Sequence, residues 1–265
     1  MAAPAIEFID IGKRFPGRRE GEAEVQAVRS VSFAVAVGEV VSIIGPSGCG
    51  KSTLLNMGSG LYLPSSGVVR VDGQQVTGPQ RKVAFMLQKD LLLPWRSIRE
   101  NAEFGLEILG VPARERRERA HALLIKCHLS GFENHYPHQL SGGMRQRAAL
   151  ARTLAVDPLV LLMDEPFSAL DAQTKMVLQQ DLSKTVAAEG KTAVFITHDL
   201  AEAVLLSDRV LVMSSRPGTI VEEIRIELPE RENPLARRRH PEVGHYVSRL
   251  MELLHLGDMV DAEQI

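Results

Sequence analysis

The residues GPSGCGKST at 45–53 constrain the fold of this chain more than any other stretch. They match the pattern G-x-x-x-x-G-K followed by Ser or Thr, which requires a strand before it and a helix after it. A continuous apolar run, Val40–Ile44, comes first, as expected of a strand buried on both faces. The residues that follow, 52–59, have helical character. The sequence therefore predicts a strand, a glycine-rich turn and a helix in succession.

This turn, named here the phosphate loop (45–53), has the chemistry of a triphosphate-binding site. Its glycines permit tight backbone geometry, so that backbone N–H groups point into one concavity at a helix N-terminus. Lys51 would bring a positive charge to the β- and γ-phosphates, and Ser52 a hydroxyl to Mg²⁺. The alternative is an ordinary glycine-rich turn. The candidate ATP-binding residues here are Gly45, Pro46, Ser47, Gly48, Cys49, Gly50, Lys51, Ser52 and Thr53.

A second apolar run, LVLLMDE at 159–165, ends in two carboxylates. A buried strand would carry both acids to its carboxyl end, where open α/β sheets bind ligands. We expect Asp164 to hold Mg²⁺ and Glu165 to orient and polarise the attacking water, the task of a general base. Taken alone, Asp-Glu after a strand is often a solvated turn, but the phosphate loop makes the functional interpretation the stronger one.

The third motif is LSGGMRQR at 140–147, which opens a segment of strong helix formers. Ser141 stands where a helix N-cap is expected, followed by Gly142 and Gly143. Free backbone N–H groups at a helix N-terminus attract anions, so the motif predicts a further phosphate contact. A helix cap without a ligand is the alternative.

The order of the remaining elements predicts an α/β fold. Strands are expected at 5–11, 25–35, 67–71 and 83–87, then at 159–163, 193–197 and 209–213, with helices near 172–188 and 199–206. Alternating strands and helices imply a mostly parallel sheet. We expect an antiparallel β subdomain at the N-terminus, a polar loop at 16–24 and a charged helical lobe at about 91–157. A nucleotide-binding domain over 1–225 would precede a C-terminal helical extension over 226–265, with a short strand at 219–228 and a final helix near 241–255.

Composition limits the possible classes of partner. The chain has 31 basic and 33 acidic residues, a net charge of -2, which argues against general nucleic-acid binding. The runs at 114–119 and 237–239 are interpreted as solvated faces, with a contact to lipid headgroups or another subunit as the alternative. Two cysteines, Cys49 and Cys127, predict no disulfide framework and fit a reducing cytosol. No base accompanies Cys49, so a small loop residue is favoured over a catalytic thiol.

No apolar run approaches the roughly 18 residues that a membrane span needs, so any link to a membrane is expected to run through other chains.

Together these motifs resemble the nucleotide-binding subunit of ABC transporters, over roughly residues 5–225. LSGGMRQR resembles the signature sequence of that family and lies between the phosphate loop and the acidic strand, as the family requires. The resemblance implies that Gln88 senses Mg²⁺ and water, that the segment 168–171 with Asp171 touches an opposing subunit, that His198 contacts the γ-phosphate and that Phe15 stacks on adenine. Each has a bland alternative: a surface glutamine, a structural histidine or loop packing for Phe15. The markers occur in the family's order: Phe15, Lys51, Gln88, Ser141, Glu165, Asp171 and His198.

A narrower resemblance to importers of nitrate, sulfonates and taurine rests on the segments 86–107, 197–213 and 214–220. The Leu-Pro-Trp sequence ending at Trp95 would lie where the helical lobe grips a membrane subunit, with ordinary lobe packing as the alternative. The resemblance implies a homodimer that binds ATP and Mg²⁺, two transmembrane permease subunits, an indirect link to a solute-binding protein and no nucleic acid. It also implies a peripheral location on the cytoplasmic face of the inner membrane.

The same residues argue against other classes of P-loop protein. A soluble ABC-type mechanical ATPase, as in DNA repair or translation, usually has a long coiled-coil insert or two cassettes in one chain, and 265 residues hold neither. A GTPase would want an N-K-x-D motif, which is missing, and a kinase would not need LSGGMRQR. A binding module without activity would predict a degraded Glu165 or His198. The transported solute is not encoded in these motifs.

Overall fold

The N-terminal part of the chain forms an antiparallel sheet. In a computed structural model that describes residues 3–17 and 23–262, with side chains to residue 254, its strands lie in the order β2-β1-β4-β5. Their bounds are β1 Ile6–Phe15, β2 Val25–Val35, β4 Ser66–Val71 and β5 Gln74–Gln75. Irregularities in the β1–β2 register fall between Phe8 and Arg14. Such irregularities add twist, which lets the two strands wrap over the helix behind them.

The second sheet has the strand order β10-β9-β3-β8-β7-β6. All neighbouring strands are parallel except the antiparallel edge strand β10. The bounds are β3 Val40–Ile44, β6 Val83–Met86, β7 Val160–Asp164, β8 Thr192–Ile196, β9 Arg209–Met213 and β10 Ile220–Arg225. Every residue of β3, β7 and β8 is buried, because helices or the other sheet cover both faces. The parallel strands therefore deliver the residues that follow them to one common edge.

Helices cover the faces of this sheet. Helix α1 (Lys51–Ser59) lies between the two sheets, against the apolar core that they share. The lobe between β6 and β7 contains α2 (Ile98–Ile108), α3 (Ala113–Lys126), a 3-10 turn (Pro137–Gln139) and α4 (Gly142–Ala155). The remaining helices are α5 Ala172–Ala188, α6 Leu200–Leu206, α7 Pro234–Arg237 and α8 Val243–Ala262. A separate apolar cluster joins α6, β9 and α8 through Ala203, Val210 and Leu250.

Local sequence explains where the lobe's helices start. Ser97 caps α2 in a reciprocal capping box, since its hydroxyl accepts from the N–H of Glu100 while that carboxylate accepts from the N–H of Ser97. The preceding residues, 91–97, are not helical, although the sequence predicted a helical lobe from residue 91. The buried Asn101 holds them in place, accepting from the N–H of Leu93 and donating to its carbonyl.

Other differences from the predicted elements are small and have local causes. β1 continues to residue 15, the tail strand covers only 220–225, and the last helix begins at residue 243 and reaches 262. The two-residue strand β5 was not predicted, because its pairing with β4 follows from the turn at Asp72 and Gly73 rather than from an apolar pattern. The predicted polar loop at 16–24 includes residues 18–22, which lie outside the described part of the chain.

Arg237 corrects the interpretation of 237–239 as a solvated run. Its side chain is buried, with 2 % of its surface exposed, whereas Arg238 and Arg239 are exposed. The guanidinium donates to carbonyls at the end of α6 and in the segment after β10, which are those of Val204, Leu205, Ser207, Leu228 and Pro229. A buried Arg is tolerated because its N–H groups find these acceptors. The C-terminal segment is thereby fixed to the carboxyl end of α6.

The described residues contain no disulfide, and both cysteines are free and buried. Burial raises the pKa of the Cys127 thiol to about 12. Among the residues that the structure describes, no helix is both long enough and apolar enough to cross a bilayer.

Candidate active site

The phosphate loop lies between β3 and α1, at the carboxyl edge of the parallel sheet. Its Gly50 has φ of 108°, and a Cβ there would come within 2.8 Å of the Ala27 carbonyl oxygen and of Val28. Glycine is required at this position both by the left-handed backbone and by the close approach of β2. The Lys51 ammonium folds back over the loop and donates to the carbonyls of Gly45 (2.6 Å) and Pro46 (2.8 Å). A fixed positive charge and the N-terminus of α1 thus meet at one point, which favours an anion.

Asp164 ends β7 beside this loop and is buried, with 6 % of its surface exposed. Burial raises the pKa of this carboxyl, an effect opposed by an interaction with the Ser52 hydroxyl and by the charge of Lys51. A buried carboxylate next to a hydroxyl fits a hard cation that prefers oxygen ligands. Mg²⁺ usually takes only one or two protein ligands and completes its shell with water and phosphate oxygens, so this small donor set suits it.

Two predicted residues, each just after a different strand, meet at Glu165. The Gln88 amide, after β6, donates to Glu165 Oε2 at 3.0 Å. His198 Nδ1, after β8, lies 3.5 Å from the same oxygen, and its side chain is 70 % exposed. Because the carboxyl ends of β6, β7 and β8 share one edge, residues far apart in sequence form one polar cluster.

The backbone of Glu165 is held in an unusual conformation. Its φ is 50°, in the left-handed region that non-glycine residues seldom adopt. The N–H donates to the Ile196 carbonyl, and the Glu165 carbonyl accepts from the Gln146 amide and the Ser168 hydroxyl. These contacts hold a conformation that costs about 1 kcal/mol or more, and such strain is concentrated at functional sites. The carboxylate therefore points in a direction fixed by its neighbours.

Ser141 and Asp171 both serve as helix N-caps within the chain. Ser141 Oγ accepts from the N–H of Met144 at 3.3 Å, and Asp171 Oδ1 accepts from Gln173 and Thr174. The hydrogen bonds from Thr174 lower the pKa of Asp171. Both residues therefore cap helices, as expected of Ser141 from its position, and the Ser141 side chain is exposed.

The 141–143 turn and the 168–171 segment lie side by side. A Cβ on Gly143 would approach Leu170 Cδ2 to 3.1 Å and the Ala169 carbonyl oxygen to 3.7 Å. Ser141, Ser168, Ala169 and Asp171 are all exposed. The two elements that the family resemblance assigns to an opposing subunit therefore form one continuous surface.

Phe15 lies at the end of β1, opposite Val25 at the start of β2. Its ring is partly buried and meets Tyr62 edge to face, with 5.8 Å between the ring centroids. The Lys13 ammonium lies 5.2 Å from the Phe15 centroid. The predicted adenine contact and the packing alternative are both compatible with this position.

A partly buried cluster of charges, which the sequence did not reveal, links α5 to α6. Lys175 Nζ lies 2.8 Å from Asp199 Oδ2 and 2.7 Å from Glu202 Oε2, and Glu202 is almost fully buried. Asp199 also caps α6 through the N–H of Glu202. Burial raises the pKa of Glu202, and Lys175 opposes that shift. The cluster fixes the residue after His198 to the helix that Asp171 caps. Asp199 and Glu202 are one helical turn apart, a spacing that is also typical of a solvated helix face, and Lys175 lies on a different helix. The cluster is therefore visible only in the tertiary structure.

We expect Lys175→Met to destabilise the protein by about 2 kcal/mol at pH 8, because it leaves the Glu202 carboxylate buried without a partner. The pKa of Glu202 is already raised in the folded state, so its ionised form opposes folding, and loss of Lys175 strengthens this. The loss of stability should therefore shrink as the pH falls and Glu202 takes up a proton. Denaturant unfolding at pH 8 and pH 5.5 measures this, with the double variant Lys175→Met/Glu202→Gln as control. A pH-independent loss that the double variant does not relieve would contradict the expectation.

Comparisons with known proteins establish the family of this chain. The family model described as ABC transporter matches residues 28–168, just over half of the chain. The chain belongs to the ABC transporter family. It is 42% identical to the nitrate import ATP-binding protein NrtD of Synechocystis sp. over 98% of both chains, and 45% identical to the taurine import ATP-binding protein TauB of Yersinia pestis bv. Antiqua over 77% of this chain and 80% of that one.

Solved structures lead to the same family. A dimeric post-hydrolysis state of the ATP-binding cassette MJ0796, bound to ADP and Pi, superposes with a TM-score of 0.75 at 34% identity, covering 84% of this chain and 99% of that one. The predicted family and the α/β fold with its two sheets and helical lobe are confirmed. This chain is an ABC-type ATPase that binds ATP and hydrolyses it to ADP and phosphate. The roles of its individual residues stay predictions.

Proposed function

We propose that two copies of this ATPase enclose two ATP molecules head to tail and drive import of a small solute through separate permease subunits. The observation that carries the proposal is a convergence of polar residues on one sheet edge, in a chain similar to a nitrate import ATP-binding protein over 98% of both chains. These residues are Lys51, Gln88, Asp164, Glu165 and His198. The activity of that edge is the hydrolysis of ATP.

Within one copy, each residue has a separate task. The phosphate loop, 45–53, cradles the phosphates, and Lys51 neutralises charge on the β- and γ-phosphates. Ser52, Asp164 and Gln88 would hold Mg²⁺, which when bound neutralises charge on the phosphate oxygens. Glu165 accepts a proton from the attacking water. The Gln88 amide holds the Oε2 atom of Glu165 in place by donating a hydrogen bond to it. His198 and Gln88 thus set the direction of the carboxylate from two sides.

The second copy would complete the site. A two-fold axis would place the surface formed by 141–143 and 168–171 of one protomer over the phosphate loop of the other, closing two equivalent sites. The backbone N–H groups at the start of α4 and the Ser141 hydroxyl would then reach the γ-phosphate. Only contacts that differ between ATP and ADP can shift the balance between closed and open pairs. The γ-phosphate contacts of Ser141, Gly143 and His198 supply that difference.

The link to transport runs through the helical lobe. Trp95 is 72% exposed and Leu91 53% exposed, close in sequence to Gln88 and directly before α2. Exposed apolar side chains of this size mark contact surfaces, here for a permease subunit at the cytoplasmic face of the membrane. The proposal also assigns 1–225 to the nucleotide-binding domain, with the lobe at about 91–157, and 226–265 to a C-terminal helical extension. A solute-binding protein would deliver nitrate, a sulfonate or taurine from the other side.

Purification of a tagged form from its native membranes tests the transport assignment against a mechanical role on nucleic acid. We expect two permease subunits to copurify, and loss of that association with Trp95→Ala, since the ring would be buried at the contact. Reconstituted into vesicles, the complex should show ATPase activity that rises several-fold with one of nitrate, taurine or an alkanesulfonate. Leu235→Ala, an exposed apolar residue on α7, serves as the matched control. Copurification of nucleic acid without a permease would overturn the proposal.

A further inference from the structure

The turn between β9 and β10, residues 214–219, grips the phosphate loop from outside. The Arg216 guanidinium donates two hydrogen bonds to the Gly48 carbonyl oxygen, from Nε at 3.1 Å and from Nη2 at 3.0 Å. Arg216 itself is exposed. A charged donor on a carbonyl forms a stronger hydrogen bond than a neutral one, so this contact restrains the loop at the middle of its glycine-rich stretch.

Gly218 makes the second contact. A Cβ at this position would lie 2.0 Å from the Cys49 carbonyl oxygen, so the turn packs directly on the loop backbone. Gly218 is in turn fixed to β2, since its N–H donates to the Ala27 carbonyl and its carbonyl accepts from the N–H of Arg29, both at 3.0 Å. The turn, which joins two strands of the second sheet, is therefore fixed to β2 of the first sheet and packs against the loop.

Two successive peptide groups of the loop have their carbonyls turned toward this support, those of Gly48 and Cys49. In a planar trans peptide the C=O and the N–H point in opposite directions. Holding these carbonyls outward therefore directs the N–H groups of Cys49 and Gly50 to the other side of the loop, toward its concave face. The Cys49 nitrogen lies 3.4 Å from the Pro46 carbonyl oxygen, which makes this a weak hydrogen bond. The direction of the Cys49 N–H is therefore set mainly by the contacts of the Gly48 carbonyl.

We propose that Arg216 is a positioning residue for nucleotide binding, and that with Gly218 it sets the peptide planes of the phosphate loop. The inference rests on the proposed role of that loop. The loop's N–H groups serve the α- and β-phosphates, which ATP and ADP share. Arg216 therefore supports the affinity for both nucleotides and acts through Gly48.

The test is a titration of Arg216→Ala, Arg216→Lys and the wild type with MgADP and with MgATP under conditions without turnover. We expect Arg216→Ala to weaken both affinities alike, by about 3- to 10-fold, because the lost hydrogen bonds are exposed and of modest net strength. The KM for ATP should rise by a similar factor while kcat at saturation changes by less than about twofold. Lysine, with one point donor in place of a fork, should recover only part of the loss. Arg225→Ala removes an equally exposed charge from β10 and should bind as the wild type does.

Three results would overturn the inference. One is unchanged affinity for both nucleotides in Arg216→Ala. Another is a loss for ATP alone, which would place the guanidinium on the γ-phosphate. The third is full recovery by Arg216→Lys together with strong salt dependence, which would indicate long-range charge. A second single variant, Gly218→Ala, should weaken nucleotide binding more than Arg216→Ala does. In the double variant the two effects should not add, since both act on one loop. Lys51→Ala separates the two levels: if it also leaves binding unchanged, the loop assignment itself fails.

Discussion

Replacing Glu165 by Gln is expected to lower kcat for ATP hydrolysis by about 10²- to 10³-fold, the range that loss of a positioned general base produces. Glutamine has nearly the same shape, and its side-chain oxygen can still accept the hydrogen bond that the Gln88 amide donates, so the neighbouring geometry is retained. It cannot take up the proton of the attacking water at neutral pH. Single-turnover and steady-state phosphate release, measured with saturating MgATP, give the effect directly.

The same variant should bind ATP with affinity within about twofold of the wild type, because the phosphate contacts are made by other residues. If hydrolysis opens the closed pair, Glu165→Gln should accumulate as a dimer in ATP and stay monomeric in ADP, as read by light scattering during size-exclusion chromatography. Glu118→Gln, on the exposed face of α3, is the matched carboxylate control. Hydrolysis at the wild-type rate would show that another group activates the water.

Short-range chemistry made much of the site accessible from sequence. The phosphate loop, the acidic end of β7 and the residues after β6 and β8 each follow an apolar run, and parallel strands bring such residues to one edge. Given the strand order that the structure shows, the meeting of Gln88, Glu165 and His198 follows, whereas in the sequence only the family resemblance linked these three residues. Their individual distances, and the left-handed backbone of Glu165, depend on hydrogen bonds that no local pattern encodes: the Gln146 amide donates to the Glu165 carbonyl, and the Glu165 N–H donates to the Ile196 carbonyl.

The features that escaped prediction are those that depend on long-range packing. Arg237 reads as part of a basic run, yet its guanidinium finds carbonyls on α6 and so becomes buried. Lys175 and Glu202 are on separate helices, α5 and α6, and only the tertiary structure brings them together as an ion pair. Arg216 lies in a segment that contributed only to the narrower resemblance, and its contact with Gly48 spans 168 positions of the chain. Sequence period reports which face of an element is apolar, but it does not report which partner that element meets.

Replacing Lys51 by Ala is expected to weaken ATP binding by about 10- to 100-fold, because the ammonium is the charge that the loop brings to the β- and γ-phosphates. The loop itself should keep its fold, since Gly48 and Cys49 are held by the 214–219 turn and Gly50 by β2. The weakening should therefore appear without a large fall in the melting temperature of the nucleotide-free protein.

Ionic strength separates loss of this charge from loss of loop shape. Wild-type affinity for ATP should fall as salt rises, whereas Lys51→Ala should respond less, because one cation near the phosphates is gone. Gly218→Ala, which changes the shape of the loop and keeps the Lys51 charge, should instead lower the affinity for ATP and leave its dependence on salt as steep as in the wild type. Isothermal titration at two salt concentrations measures both quantities, and Lys126→Ala, an exposed lysine at the end of α3, controls for net charge. Equal affinity of Lys51→Ala and wild type for ATP would mean that the triphosphate binds elsewhere, because no other residue of the 45–53 loop carries a positive side chain.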